Sequence, residues 1–193
     1  LSIYATTLLL GICIGQFLLT IADPFKIDLF ILISLIISIA AIPILLSGVK
    51  GPSIEEGDRI TIKLLWKRTR IGVFAIALSQ WVASIVFSMG AVYAIKIGFN
   101  QNQTAYFMGC LMMGGMFLQW PLGKLSDKFD RRWIIGLSSI FGAFCSILIL
   151  FCDKPNLLFY LSTFLFGGFS LSLYSIIVAF TNDHLRPNEI TSA

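Results

Sequence analysis

The sequence predicts an all-α fold, a polytopic membrane helix bundle, from its composition and from the length of its apolar runs. Hydrophobic residues make up 57% of the chain and charged residues only 12%, with a single His. A soluble domain usually carries charge on about 25% of its residues. The apolar runs approach the length of about 20 residues that crosses a hydrocarbon core of about 30 Å. So little chain remains between the runs that a soluble catalytic domain is excluded, and we expect no enzymatic activity.

Six transmembrane helices are predicted in order along the chain. Each is an apolar run bounded by charged or turn-forming residues. Two connections, 23–26 and 153–156, read Asp-Pro-Phe-Lys and Asp-Lys-Pro-Asn, and this turn chemistry favours antiparallel neighbouring helices. The predicted spans are 2–22, 27–47, 71–97, 105–122, 133–152 and 157–181.

The distribution of Lys and Arg predicts the orientation. If the six helices alternate, eleven of these residues fall on one face, in 48–70, 123–132 and 182–193, and three fall on the other. Cytoplasmic loops of membrane proteins carry such an excess, so we expect this face to be cytoplasmic. The net charge of +4 is therefore a topology signal. The partner that it indicates is the lipid bilayer, and no nucleic acid is expected.

A densely charged segment lies between the fourth and fifth spans, and it reads Gly-Lys-Leu-Ser-Asp-Lys-Phe-Asp-Arg-Arg over 123–132. So short a connection predicts a loop between antiparallel neighbours. The pattern resembles the signature loop of the major facilitator superfamily of secondary transporters, which reads Gly-x-x-x-Asp-(Arg/Lys)-x-Gly-(Arg/Lys)-(Arg/Lys). The matching residues are Gly123, Asp127, Lys128, Arg131 and Arg132.

One position departs from the family pattern. Asp130 stands where the family has glycine, which makes the turn less permissive and adds a negative charge. The alternative to the family resemblance is a loop that is basic only to fix the orientation. Five matches in the right topological context favour the family. Gly123 is expected to let helix backbones approach closely.

The resemblance implies a twelve-helix fold in two halves, of which this chain holds the fifth to tenth helices. In the family the signature follows the second helix of a half, so the boundary between halves falls just before residue 71. The domains are then 1–47, the last two helices of the N-terminal half; 48–70, a cytoplasmic linker between halves; and 71–193, the first four helices of the C-terminal half, truncated. Both ends of the chain look cut, so we expect a fragment of a longer transporter.

The resemblance also implies a function. A protein of this family moves a small solute by alternating access, and the expected location is the plasma (inner) membrane. The five matched residues become a conformational-switch loop, in which Asp127 acts with Arg131 as a cytoplasmic latch against a helix beginning near Pro187. A non-transporting helical membrane scaffold or sensor with the same fold is the alternative.

Uncharged polar residues at depth, Gln80 and Gln119 among them, indicate which spans face the interior. Such side chains normally face protein or a water-filled cavity, because an unpaired amide in hydrocarbon is unfavourable. The resemblance turns the sixth and ninth helices of the family fold, here 27–47 and 133–152, towards lipid. For Gln80 an interhelical hydrogen bond that holds the bundle together is the alternative. The candidate cavity-lining residues are Gln80, Ser84, Tyr93 and Tyr174.

No cofactor or metal is predicted, since the four cysteines lie apart without metal-ligand spacing. No ionisable residue falls deep within a predicted span, although proton-coupled transport usually needs one. The coupling groups then lie in other helices, or coupling works differently, or there is none. A coupling proton or cation is left open as a partner. Gln119, followed by Trp120 and Pro121, predicts an interfacial anchor with a bend at the proline.

Overall fold

In a computed structural model of the chain, the described residues are 2–21, 27–48, 66, 68–152 and 155–185. They form six α-helices, and the predicted all-α fold class is confirmed. Most of the predicted linker 48–70, the whole connection 23–26, part of the connection 153–156, and the tail 186–193 with Pro187 lie outside the described residues. The helices are α1 (Ser2–Ile21), α2 (Ile27–Leu46), α3 (Arg70–Lys96), α4 (Gln101–Lys128), α5 (Arg131–Leu150) and α6 (Leu157–Asn182).

Five of the six predicted spans agree with the helices to within two residues, and α4 differs. It begins at Gln101 and ends at Lys128, whereas the predicted span was 105–122. Its start is fixed by a capping box, in which Asn100 accepts from the Gln103 N–H (2.8 Å) and the Gln103 side chain accepts from the Asn100 N–H (2.9 Å). Its end runs past the apolar residues because charged residues can stay helical in water.

The predicted loop over 123–132 is therefore mostly helix, which corrects the sequence-based expectation. Only Phe129 and Asp130 lie between α4 and α5. Apolar periodicity marks where a helix leaves the hydrocarbon, and it does not mark where the backbone hydrogen bonds stop.

The centre of the bundle is the contact between α4 and α6, the most extensive helix interface among the described residues. Glycines on both helices let the two backbones meet. A Cβ placed on Gly167 would overlap the backbone of Leu111, and one placed on Gly114 would overlap the carbonyl group of Phe164. Transmembrane helices commonly associate through such small residues, since lipid provides no hydrophobic drive between helices.

The other helices are arranged around this pair. α5 packs along α6, α3 contacts both α6 and α4, and α1 packs along α4. On the α1 contact, the Cys13 Sγ lies 3.7 Å from the Gly109 carbonyl oxygen, and the Phe17 ring covers Gly109. α2 forms no extensive interface with another described helix, and its large apolar side chains are mostly exposed.

By length and composition, α3, α5 and α6 can each cross a membrane. Within α1 and α2 the apolar stretches of described residues are shorter, Thr7–Leu18 and Ile27–Pro43. α4 is the least apolar helix, because both of its ends are polar and Gln119 lies inside it. The apolar surface of α2 and of the outer face of α5 fits contact with lipid tails.

Contacts fix which helix ends lie together. At one end Gly72, near the start of α3, touches Thr181, near the end of α6, and Arg131 at the start of α5 pairs with Asp183 just after α6. At the other end the rings of Phe99 and Phe159 lie 5.3 Å apart. Helices α3 to α6 therefore alternate in direction, as the predicted topology requires.

We predict that the end of the bundle containing Phe129 is cytoplasmic and that the end containing Asn102 faces outward, from the Lys and Arg asymmetry. Both side chains are exposed. With the four native cysteines replaced by alanine in the complete protein, a cysteine at Asn102 should react with an impermeant maleimide on intact cells. A cysteine at Phe129 should react only after the cells are opened. Labelling of both positions on intact cells would contradict this topology.

Candidate functional site

The signature segment 123–132 forms the end of α4, a short connection and the start of α5. Asp130 is the N-cap of α5, with its side chain accepting a hydrogen bond from the backbone N–H of Arg132 (2.9 Å). Its backbone angles, φ −56° and ψ 119°, are open to any residue, so this turn does not need the glycine of the family pattern. Aspartate in this place satisfies a helix N–H that glycine would leave to water.

Arg131 is the centre of the charged cluster. Its Nη2 lies 3.1 Å from Asp127 Oδ1, one turn back on α4, and its Nε lies 2.6 Å from Asp183 Oδ2, just after α6. The Arg131 side chain is 21% exposed, whereas the two carboxylates are 68% and 51% exposed. One guanidinium therefore ties together the end of α4, the start of α5 and the end of α6. We call these three residues the charged triad.

The other signature residues have different surroundings. Arg132 lies over the Phe180 ring (5.7 Å from its centroid), and Lys128 is exposed. Ser126 is buried and donates a hydrogen bond to the Gly123 carbonyl (2.8 Å). A Cβ on Gly123 would meet open space among the described residues, so the close backbone approach expected at this glycine is not found there.

Lys124, between Gly123 and the triad, lies with its Nζ 3.7 Å from the centroid of the Trp120 ring. Trp120 is 61% exposed, which suits a ring at the membrane surface. Gln119 does not share that position. It is buried, since adjacent residues of a helix point about 100° apart, so the expected interfacial anchor consists of Trp120 without Gln119.

A cavity of about 470 Å³ lies between α1, α3, α4 and α6, and we call it the central cavity. Its wall is mostly apolar, with Leu9, Phe87 and Val178 among the lining residues. Its polar groups are uncharged. They are Ser79, Gln80, Gln119, Ser170, Tyr174 and Ser175.

The structure brings together two of the four candidate cavity residues. Gln80 on α3 and Tyr174 on α6 both line the central cavity. Ser84 is exposed on α3 and does not line it. Tyr93 lies elsewhere, partly buried against the apolar core, with its ring 6.2 Å from that of Phe107. Depth in the bilayer alone did not tell these cases apart.

A second cavity, of about 360 Å³, lies next to the charged triad, and we call it the signature cavity. Its wall includes Gln119, Lys124, Asp127, Arg131 and Ser175. Gln119 and Ser175 line both cavities, so the two spaces meet at these residues.

Sequence reasoning missed one residue of this region and gave two interpretations of another. Asp183 pairs with Arg131 across a separation that no local motif encodes. Gln119 is predicted both as a polar group at depth and as part of the interfacial anchor with Trp120, and its burial beside the cavities agrees with the first. The spacing of the buried residues Met112, Gly115 and Gln119, three and four apart, is the signal that places this glutamine on the inner face of α4.

Comparison with known proteins yields distant relatives along the whole chain. It is 22% identical over 196 aligned residues to an uncharacterized MFS-type transporter of Yersinia pestis. It is 21% identical to the uncharacterized MFS-type transporter YcaD of Escherichia fergusonii and 22% identical to the protein of that name in Escherichia coli. Each alignment covers 100% of this chain and 50% of the relative. The chain thus spans about half the length of the curated relatives it matches.

No solved structure matches the chain significantly. The apolar helices and the relatives together identify an integral membrane protein. The family model described as Major Facilitator Superfamily matches residues 1–193, and the chain therefore belongs to the major facilitator superfamily.

Proposed function

We propose that this chain is part of a secondary transporter that moves a small solute across the plasma (inner) membrane by alternating access. The observation that carries the proposal is the central cavity, whose mostly apolar wall contains a group of uncharged polar side chains. Family membership and the names of the relatives support it. A scaffold needs no such cavity, because polar side chains away from water are unfavourable unless they serve a ligand or a partner.

The division into halves is part of the proposal. Residues 1–47 would belong to the N-terminal half, 48–70 to the linker, and 71–193 to the C-terminal half. The contact between α1 and α4 is then the junction of the halves, and the central cavity lies beside it. Gly109 faces Phe17 of α1 across this contact, and Gly115 lies between Leu9 of α1 and Leu171 of α6. Small residues on one side give a smooth surface, which suits two halves that rock against each other.

The signature residues Gly123, Asp127, Lys128, Arg131 and Arg132 would form the conformational switch. The charged triad supports this role, since it fixes the end of α4 to the end of α6 beside the signature cavity. An exposed ion pair contributes less than about 1 kcal/mol. That is too little to build the fold, but it changes the balance between two conformations several-fold.

Coupling to a proton would need a carboxylate or imidazole outside the described helix interiors. In the described helices, Asp, Lys and Arg lie only near helix ends, for example Asp28, Lys96 and Lys124. A coupling proton, if the transporter uses one, would therefore bind beyond these interiors, whereas a coupling cation could also bind uncharged oxygens within them.

The test uses a single cysteine at Gln80 in the complete protein, in a background without native cysteines. Gln80 lines the central cavity, so under alternating access its thiol should react with an impermeant maleimide added on either side of the membrane. The matched control is a cysteine at Ile85, which is 52% exposed and lies on the other side of α3, away from the cavity. Because the thiol at Ile85 would lie among apolar groups and away from water, it should react with the maleimide from neither side of the membrane.

The rate of labelling is measured in right-side-out and inverted vesicles. Labelling of the cysteine at Gln80 from one side only would contradict alternating access. Equal labelling at Gln80 and Ile85 would show that the cavity is not the water path.

A further inference from the structure

Gln119 is a buried amide whose oxygen has no partner. The residue is 2% exposed, and its Oε1 has no hydrogen-bond partner among the described residues. Buried side-chain oxygens are nearly always paired, because leaving one unpaired is unfavourable. This oxygen therefore calls for a specific explanation.

Three hydroxyl groups of this region already donate to backbone carbonyls. Ser175, which lines both cavities with Gln119, donates to the Ser172 carbonyl (3.0 Å). Ser79, in the wall of the central cavity, donates to the Ile76 carbonyl (2.9 Å). The Ser172 hydroxyl donates to the Gly115 carbonyl (3.4 Å). Since each hydroxyl has a single proton, these three are committed elsewhere. The other donors in the wall of the central cavity, Gln80, Ser170 and Tyr174, do not pair with the Gln119 oxygen either.

The position of Gln119 suits contact with a passing molecule. It lines the central cavity and the signature cavity, and no other residue besides Ser175 is shared by the two among the described residues. A solute that leaves the central cavity towards the charged triad would pass this amide. The central cavity around it has no charged side chain among its described lining residues.

We propose that Gln119 is a specificity-determining residue, whose carboxamide turns its covered oxygen into the cavity to accept a hydrogen bond from an N–H or O–H group of an uncharged, amphipathic solute. The apolar wall, with Leu8, Ile12 and Phe87, would hold the apolar body of that solute. This inference rests on the proposed transport function, and it adds the chemical class of the solute. A solute without a donor would leave the oxygen unpaired, and sites built to pair a polar group reject analogues that lack it.

The test compares probe pairs that differ only in the donor, indole with 1-methylindole and 4-ethylphenol with 4-ethylanisole. Binding to the purified complete protein is measured by equilibrium dialysis in one detergent, so that partition into micelles is the same for every variant. The parent should bind the donor member of a pair about tenfold more tightly, which corresponds to one hydrogen bond. In Gln119→Met, a change that nearly conserves volume, the donor preference should disappear.

Two further measurements separate recognition from packing. Gln119→Met should raise the melting temperature of the ligand-free protein, because it removes an unpaired buried acceptor. Met116→Leu, one turn away on α4 and outside both sets of cavity-lining residues, should keep the donor preference of the parent.

The inference is overturned if no probe pair shows a donor preference in the parent, since water alone would then satisfy the amide. It is also overturned if Gln119→Met keeps the preference, or if that variant melts at a lower temperature, which would indicate a structural hydrogen bond. The labelling of a cysteine at Gln80 is independent of these results. Two-sided labelling without donor preference would reject the inference alone, whereas donor preference with one-sided labelling would reject the transport mechanism.

Discussion

Replacing Gly167 with isoleucine is expected to prevent the bundle from folding. A Cβ at this position would overlap the carbonyl oxygen and carbonyl carbon of Leu111. Those atoms belong to the backbone of α4, so no side-chain rotation can relieve the overlap. The two helices would have to separate along the most extensive interface among the described residues. Overpacking in a core commonly destabilises by about 1–3 kcal/mol, and we expect a loss at or above the top of that range.

The measurement is the yield of monodisperse protein in detergent, together with its melting temperature. The matched control is Gly136→Ile on α5, where an added Cβ meets no atom within 4 Å. The two variants add the same side chain to a helical glycine, so their difference isolates the contact between α4 and α6. Equal melting temperatures would show that the close approach of the two helices does not hold the bundle together.

The fold class was predictable because it depends on quantities that a sequence contains. The length of the apolar runs and the scarcity of charge determine a helical membrane bundle, and five helices begin and end close to the predicted positions. The remaining helix, α4, was predicted too short, because the end of its apolar residues was taken as the end of the helix. The capping box at Asn100 and Gln103 was visible in the sequence and marks the true start.

The neighbour that a polar side chain faces within the bundle was harder to predict than its depth in the bilayer. Gln80 and Tyr93 lie on the same helix and are both polar, yet only Gln80 lines the central cavity. Tyrosine can bury its ring in an apolar core, as Tyr93 does beside Phe107. A single sequence does not encode which neighbour a helix face meets, so the position of a polar residue along a span leaves its direction open.

The charged triad shows the same limit. Asp127 and Arg131 are one helical turn apart in sequence, and their ion pair follows from that spacing. The second carboxylate, Asp183, comes from the end of another helix. Only the packing of α5 on α6 brings it to Arg131. The local motif therefore predicts the pair of Asp127 with Arg131, but it does not predict the pair of Arg131 with Asp183.

Replacing Arg131 with glutamine should have the largest effect on the balance between conformations. The change removes both ion pairs of the charged triad, each contributing less than about 1 kcal/mol. Their sum, less than about 2 kcal/mol, corresponds to a change of up to about thirtyfold in the ratio of two conformations. Because the triad fixes α5 to the end of α6 at the predicted cytoplasmic end, its loss should favour opening on that side. The cysteine at Gln80 should then react several-fold faster in inverted vesicles and more slowly in right-side-out vesicles.

The control is Lys128→Gln, which removes one positive charge from the same segment. Lys128 makes no ion pair among the described residues, so this variant should label like the parent. Asp127→Asn and Asp183→Asn each remove one pair and should each give part of the Arg131→Gln effect. If Lys128→Gln and Arg131→Gln changed labelling equally, the segment would act through its total charge. If neither changed it, the charged segment would serve only to orient the protein. A graded response, with both aspartate variants between the parent and Arg131→Gln, requires the guanidinium to connect the three helix ends.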